Sequence, residues 1–453
     1  MHLLFVFAVA AATISQAIAQ TTAIRNATVI DVITGDARRT NIIVVGSKIA
    51  AVGAAARIPA GADVINGTGK FIIPGLWDMH VHLWESQPMF DLYTAHGVTG
   101  IRDMGSNYER SRQWAKQALA GTGPRVFTCG SPVDGPESEA AKFPVIRAAF
   151  AEDGRRATDS LDTQGVDFVK VLSTLPRDAY IALAQRARVR RAIFAGHVPE
   201  SISVTEAIDA RQRSMEHLFG IALACSSEEA DLRLRRSDAI ARKDTNKVRE
   251  VRERTYSTFS ESKAADLFKR MARYGVWQTP TLTLRHRLSL IGLEQLAIDP
   301  RVKAVPKTIR EAWTDPRKDM KNVSPETLER FRADYDFHRR LVGLMRRNGV
   351  DLLAGTDTGD PYVIPGAALH DELALLVDAG LTELEALRAA TSNAARYFNL
   401  EVSSGTIERG KIADLVILDA NPLADIRNTR RIRAVMIRGK LIDRKRLDAM
   451  LAQ

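Results

Sequence analysis

Between Gly75 and Gly359 the chain repeats one texture: a short apolar run, then a longer helical stretch. Eight strand candidates can be counted: "GLWDMHVH", "VTGIRDMG", "PRVFTCG", "VDFVKVLS", "AIFAGHV", "RSMEHLF", "VWQTPTL" and "VDLLAGTDTG". Helical runs such as "YERSRQWAKQALAG", "PRDAYIALAQRARV", "HDELALLVDAG" and "LTELEALRAATSNAARYF" lie between or after them. Strand–helix alternation specifies parallel strands, because each crossover must return the chain to the same end of the sheet. Eight repeats fit an α/β fold of the (β/α)8 TIM-like barrel type better than an open doubly wound sheet.

The two ends of the chain differ from this middle. "TAIRNATVIDV", "NIIVVGSKIAAVG", "KIADLVILD" and "IRAVMIRGKLI" are β-like runs broken by Gly, Asn and Asp. They predict a small β-sandwich domain built from both termini, residues 20–73 and 401–453, around a barrel at 74–400. Residues 1–19 read as a signal peptide, with a short apolar core and Ala17-Ile18-Ala19 before Gln20. That predicts export, to a periplasm or beyond. No later apolar run reaches the roughly 20 residues a membrane span needs. Two charged insertions, 228–273 and 285–347, follow strands. They are expected to rise over the catalytic face, where they can act as a lid.

Active sites of such barrels sit where strands end. Of nine histidines, His80, His82, His197 and His217 fall at predicted strand ends. Asp357 ends the eighth strand, and Lys170 interrupts the apolar fourth. His80 and His82, two apart, share one side of a strand. Imidazoles and a carboxylate are ligands for Zn²⁺ or a similar ion. A desolvated lysine has a depressed pKa and can add CO₂, giving a carbamate able to bridge two cations. Asp78 shares the His80 face and is expected to orient a ligand or a loop. His96 reads as an imidazolium at a helix C-terminus, His338 as a solvated helix residue, and His370 as structural. Arg102 and Asp103 read as a supporting ion pair, with Arg102 also a candidate for reaching substrate.

The net charge of +10 attracts anions, and it reads first as a solvated basic surface, with anionic substrates as the weaker alternative. With no basic–aromatic run and no helix-turn-helix or zinc-finger spacing, nucleic acid is not expected. Cys129 and Cys225 are too few for a thiolate metal site, and a disulfide between them is left open. A homo-oligomer is compatible with the sequence.

The ordered set "PGLWDMHVHL", "GVTGIRDMG", "VDFVKVL", "GHV", "MEHL", "TPTL", "AGTDTG", "ATSNAARYFNL" and "GTIERGKIADLVILDANPL" resembles the amidohydrolase superfamily, in its binuclear branch with a carboxylated lysine. The similarity is greatest to prolidase-like and Xaa-dipeptidase-like members and to imidazolonepropionase-like proteins. The resemblance implies that His80, His82 and Asp357 hold a buried metal and that His197 and His217 hold a more exposed one. Lys170, as N6-carboxylysine, would bridge the two divalent ions, expected to be zinc, together with a hydroxide. Asp357 would take the hydroxide's proton and pass it to a leaving amine. The implied substrate is an amide, such as a dipeptide or N-acyl amino acid. Alternatives are a one-metal cyclic-amide hydrolase or deaminase, and a lactone or ester hydrolase. A Tyr that some related dipeptidases place after the seventh strand is absent, leaving Arg285 and His286 as candidates for substrate contact.

Overall fold

The β-like runs at the two ends of the chain find each other. The computed structural model describes residues 20–83, 88–140, 143–290, 299–313 and 324–452. The predicted leader, and the parts of the second insertion at 291–298 and 314–323, lie outside the described residues. Strands Thr21–Ile30, Ala37–Val45, Lys48–Gly53, Asp63–Asn66 and Phe71–Pro74 join Leu415–Leu418, Ile432–Ile437 and Lys440–Asp443 in one eight-stranded sheet. The two ends meet where Phe71–Pro74 pairs antiparallel with Leu415–Leu418. A bridge between Lys48 and Ile412 ties the far edge back to the segment before Leu415. The sheet thus folds over its own apolar core, which includes Ile24, Ile42, Ile72, Leu415, Ile417 and Met436. The layers expected of a sandwich are parts of this single hydrogen-bonded sheet. Gly439 sits at the closure with φ +78°, and a Cβ there would lie 1.9 Å from the Gly46 carbonyl oxygen. Only glycine fits that position.

The middle of the chain forms a TIM-barrel-like α/β body. Leu76–Val81, Val98–Asp103 and Arg125–Thr128 pair in parallel. Val169–Val171, Phe194–Gly196, Ser214–Glu216 and Trp277–Thr279 do the same. The Asp167 N–H donates to the Thr128 carbonyl (2.9 Å), linking the two sets. The eighth predicted strand is barely a strand. It touches its neighbours through isolated parallel bridges, Gln278–Leu352 and Val81–Thr358. Even so, backbone bonds from Leu353 to Gln278, from Met79 to Ala354 and from Asp357 to His80 carry it between the seventh strand and the first. At Thr356 the N–H is shared between the Asp78 carboxylate (3.1 Å) and the His80 carbonyl (3.3 Å), and the hydroxyl donates to the same carboxylate (2.7 Å). Two short strands, Val133–Asp134 and Ile146–Arg147, were not foreseen.

The predicted helix over 381–398 is two helices, Glu383–Ala389 and Ser392–Tyr397. The break frees two carbonyls for the barrel: Ala389 accepts from Ala354 N–H, and Ala390 from Trp77 N–H. Two histidine readings are corrected. His338 is buried in Pro325–Arg347, and burial pushes its pKa down to about 3. His96 donates from Nδ1 to the Leu92 carbonyl (2.8 Å) and is likewise held neutral by burial, at about 4. Its one bonded carbonyl does not offset desolvation of an imidazolium. Cys129 and Cys225 are both buried and free. No helix among the described residues is long and apolar enough to cross a membrane.

Candidate metal centre

Every residue of Leu76–Val81 is buried, so the strand delivers His80 into a dry interior. The His80 Nδ1 lies 2.8 Å from Glu216 Oε2. A carboxylate only accepts, so this contact puts the proton on Nδ1 and the lone pair on Nε2. His80 Nε2 is buried and has no hydrogen-bond partner among the described residues. It lies 3.4 Å from Asp357 Oδ1. His82 is fixed in the same sense. Its Nδ1 faces the Gly105 carbonyl at 2.9 Å, its Nε2 lies 3.5 Å from Asp357 Oδ1, and its ring stacks on Phe143.

The other candidate ligands come from strand ends that leave ordinary geometry. Glu216 takes the inward position at the end of Ser214–Glu216, so alternation would turn His217 outward. His217 instead adopts φ +60°, and Asp357 also has φ +60°. Such left-handed backbone costs about 1 kcal/mol or more per residue outside glycine. Here it is pinned by the bonds His217 N–H to Thr279 carbonyl (2.9 Å) and Asp357 N–H to His80 carbonyl (2.8 Å). The result groups ligand atoms of His80, His217 and Asp357 within 4.8 Å of one another. His197 follows Phe194–Gly196, with Nδ1 2.7 Å from Ser173 Oγ, and its ring centroid is 5.1 Å from that of His217. The tightest grouping therefore places His217 with His80 and Asp357, whereas the sequence resemblance pairs it with His197.

Burial, and after it the charges of neighbouring groups, holds the imidazoles of His80, His197 and His217 well below their ordinary pKa. They are neutral, the form that binds a cation. Lys170 is 1% exposed, and burial lowers its pKa too, which favours the neutral amine that reacts with CO₂. Lys170, His82, His197, His217 and Asp357 line one cavity of about 370 Å³, together with Arg285 and the apolar Phe143, Leu172 and Leu288. An unpartnered buried nitrogen, neutral imidazoles and a carboxylate are a donor set that fits divalent cations.

Two candidates for substrate contact are placed elsewhere. Arg102 is fully buried behind His80, where its guanidinium donates to Glu216 (2.9 Å), to Ser214 Oγ (2.9 Å) and to the Met79 carbonyl. With every face claimed, it has no reach to a ligand. It also pairs with Glu216, not with Asp103, which accepts from Leu83 N–H and from Ser106 and Thr128 hydroxyls. His286 turns away from the cavity, its ring 5.1 Å from Tyr335. Glu216 is the functional residue that sequence reasoning missed. The available signal was a carboxylate inside the apolar run "SMEHLF".

A model of the amidohydrolase family matches residues 71–442. The chain belongs to this family. Among curated relatives, this amidohydrolase is 44% identical to the dihydroorotase of Pelotomaculum thermopropionicum over 62 residues, 14% of each chain. It is 38% identical to the imidazolonepropionase of Sphingopyxis alaskensis over 90 residues, 19% of this chain and 21% of that one. These matches span about a fifth or less of the relatives' length. Similarity of fold is far more extensive. A bottromycin amidohydrolase structure superposes with a TM-score of 0.73 at 24% identity, covering 95% of this chain and 88% of the other. A putative prolidase from Bifidobacterium longum gives 0.70 at 23% identity, with 96% and 98% covered.

Proposed function

We propose that this amidohydrolase is a metal-dependent hydrolase that cleaves the C–N bond of a small amide, either a dipeptide or an N-acyl amino acid. The reading is carried by one observation: the buried, unpartnered His80 Nε2 faces Asp357 beside a cavity lined by four further candidate ligands, His82, Lys170, His197 and His217. His80, His82, His197, His217, Asp357 and a carboxylated Lys170 would hold two divalent ions, zinc being the expected metal. Bound there, the ions would acidify a water and polarise the scissile carbonyl.

The chain's own residues do the rest. The Lys170 amine, whose neutral form is favoured by burial, would add to CO₂ through Nζ and lose a proton, giving a carbamate anion. Glu216 and the Gly105 carbonyl fix the tautomers of His80 and His82. An Asp357 carboxylate oxygen accepts a proton from the attacking water and returns it to the leaving nitrogen. Phe143, Leu172 and Leu288 exclude bulk water, which strengthens each of these interactions. The amino-terminal leader supports export of the mature enzyme, and cell fractionation checks it.

The test is a hydrolysis screen of metal-loaded protein against dipeptides, N-acyl amino acids, lactams and lactones, with ion content measured on the same sample. Turnover of an amide with two ions per chain is expected. Cleavage of lactones alone would overturn the amide assignment. The second reading, a one-ion cyclic-amide hydrolase or deaminase, is favoured by the three-residue grouping of His80, His217 and Asp357. One ion per chain at full activity would select it.

A further inference from the structure

A second cavity, of about 330 Å³, adjoins the first, and Phe219 and Arg285 line both. It is roofed by the first insertion. Helix Glu229–Ala241 contributes Arg233 and Arg236, and helix Thr245–Ser257 contributes Val251 and Arg252. Four guanidinium groups line it against two carboxylates, Glu200 and Asp334. Both carboxylates are already engaged. Arg236 chelates Glu200 at 2.7 and 2.6 Å. Asp334 accepts from Arg285 at 2.6 Å and from the Tyr256 hydroxyl. Arg233 donates to the Ile202 carbonyl (3.1 Å).

Arg252 is different. Its Nε, like that of Arg285, is buried without a hydrogen-bond partner, but unlike Arg285 its guanidinium makes no hydrogen bond or ion pair among the described residues; its charge acts only at longer range on Asp334, Tyr256 and His338. A half-buried guanidinium presents a planar fork that suits a carboxylate, and leaving buried donors unmatched is costly. Around it the wall is apolar, with Leu218, Leu223 and Val251.

We propose that this cavity is a carboxylate subsite of the same active site, in which Arg252 binds a carboxylate carried by the substrate while the apolar wall holds an adjoining hydrocarbon side chain. That the occupant is substrate rests on the amide-hydrolase reading. That the occupant is a carboxylate rests on the excess of guanidinium charge and on Arg252 alone. The lid expected of the first insertion is, on this view, a specificity wall.

The experiment separates the two. Binding of N-acetyl-L-leucine, its uncharged amide and inorganic phosphate is measured by calorimetry on chelator-treated full-length protein. Wild type, Arg252→Met and Arg252→Lys are compared, each first checked for native thermal unfolding. The acid is expected to bind about 10- to 100-fold tighter than the amide. Arg252→Met should abolish that preference and Arg252→Lys should restore part of it. Equal binding of acid and amide, no binding of either, or a preference intact in Arg252→Met would overturn the subsite. Phosphate binding as tightly as the acid would overturn its assignment to substrate. A preserved acid preference in a protein that hydrolyses no amide would refute the function above and leave the carboxylate site standing.

Discussion

Replacing Glu216 by Gln should damage the protein in two separable ways. The Glu216 carboxylate accepts from the Arg102 guanidinium, from the Ser214 hydroxyl (2.6 Å) and from His80 Nδ1 (2.8 Å), all in a fully buried setting. An amide has one acceptor oxygen and one donor nitrogen. If the oxygen faces Arg102, the NH₂ faces His80 Nδ1 and drives the proton to Nε2, where it blocks the lone pair. If the oxygen faces His80, the NH₂ opposes the guanidinium. In both orientations Arg102 loses its ion-pair partner while buried, a loss of about 3 kcal/mol at the low end for a broken buried pair. With roughly 2.1 cal/mol/K of unfolding entropy per residue, that corresponds to a fall of about 3 °C in Tm for a chain of this size. The unfolding is followed by calorimetry on chelator-treated protein, so metal loss does not contribute. Metal affinity, measured by competition with a fluorescent chelator, should fall about 10- to 100-fold. The double variant Arg102→Met with Glu216→Met removes both charges. It should recover part of the stability but none of the metal affinity, because His80 still lacks its acceptor. A Glu216→Gln protein that unfolds within 1 °C of wild type and binds metal normally would refute the reasoning.

Lys170→Met should lower the metal content of loaded protein from two ions per chain to one or none by elemental analysis, while a surface substitution such as Lys440→Met leaves it unchanged. Gly355→Ala should place a Cβ 2.8 Å from His80 Cβ and 2.5 Å from Thr279 Cγ2. The overpacking is expected to cost about 1–3 kcal/mol in thermal unfolding and to weaken metal binding by displacing His80. His370 is buried between Thr429 and the His96 carbonyl, and burial lowers its pKa from 6.5 to about 3. Between those values the unfolded chain binds a proton that the folded one does not, so stability is full above pH 6.5 and declines as pH falls. From this residue the loss reaches about 2 kcal/mol by pH 5. His370→Gln should flatten the acid limb of stability against pH by that amount, and an unchanged limb would show that His370 is not its source.

The candidate ligand set was legible in the sequence because barrel topology converts strand ends into one surface. His80, His82, His197 and His217 needed only their strands to be recognised. What the sequence hid were the contacts that cross between strands. Arg102 and Asp103 look like partners because they are adjacent, yet neighbours on a strand face opposite ways. Arg102 therefore met Glu216, more than a hundred residues away, and Asp103 met the loop after its own strand and Thr128. The grouping of His217 with His80 was hidden for a related reason. It depends on a left-handed residue placed directly after Glu216, and no periodicity announces a conformation that breaks periodicity. His338 misled in another way: its helix is rich in charge, but the residue faces the roof of the second cavity. A polar sequence around a histidine describes the helix's outer surface, not the side on which the ring is buried. The proposed carboxylate subsite lies in that same region, where chain segments distant in sequence meet. Chemistry in this fold is set by strand ends and can be read along the chain. On the subsite proposed above, specificity would be set by which insertion helix covers which strand end, and that takes three-dimensional packing to decide.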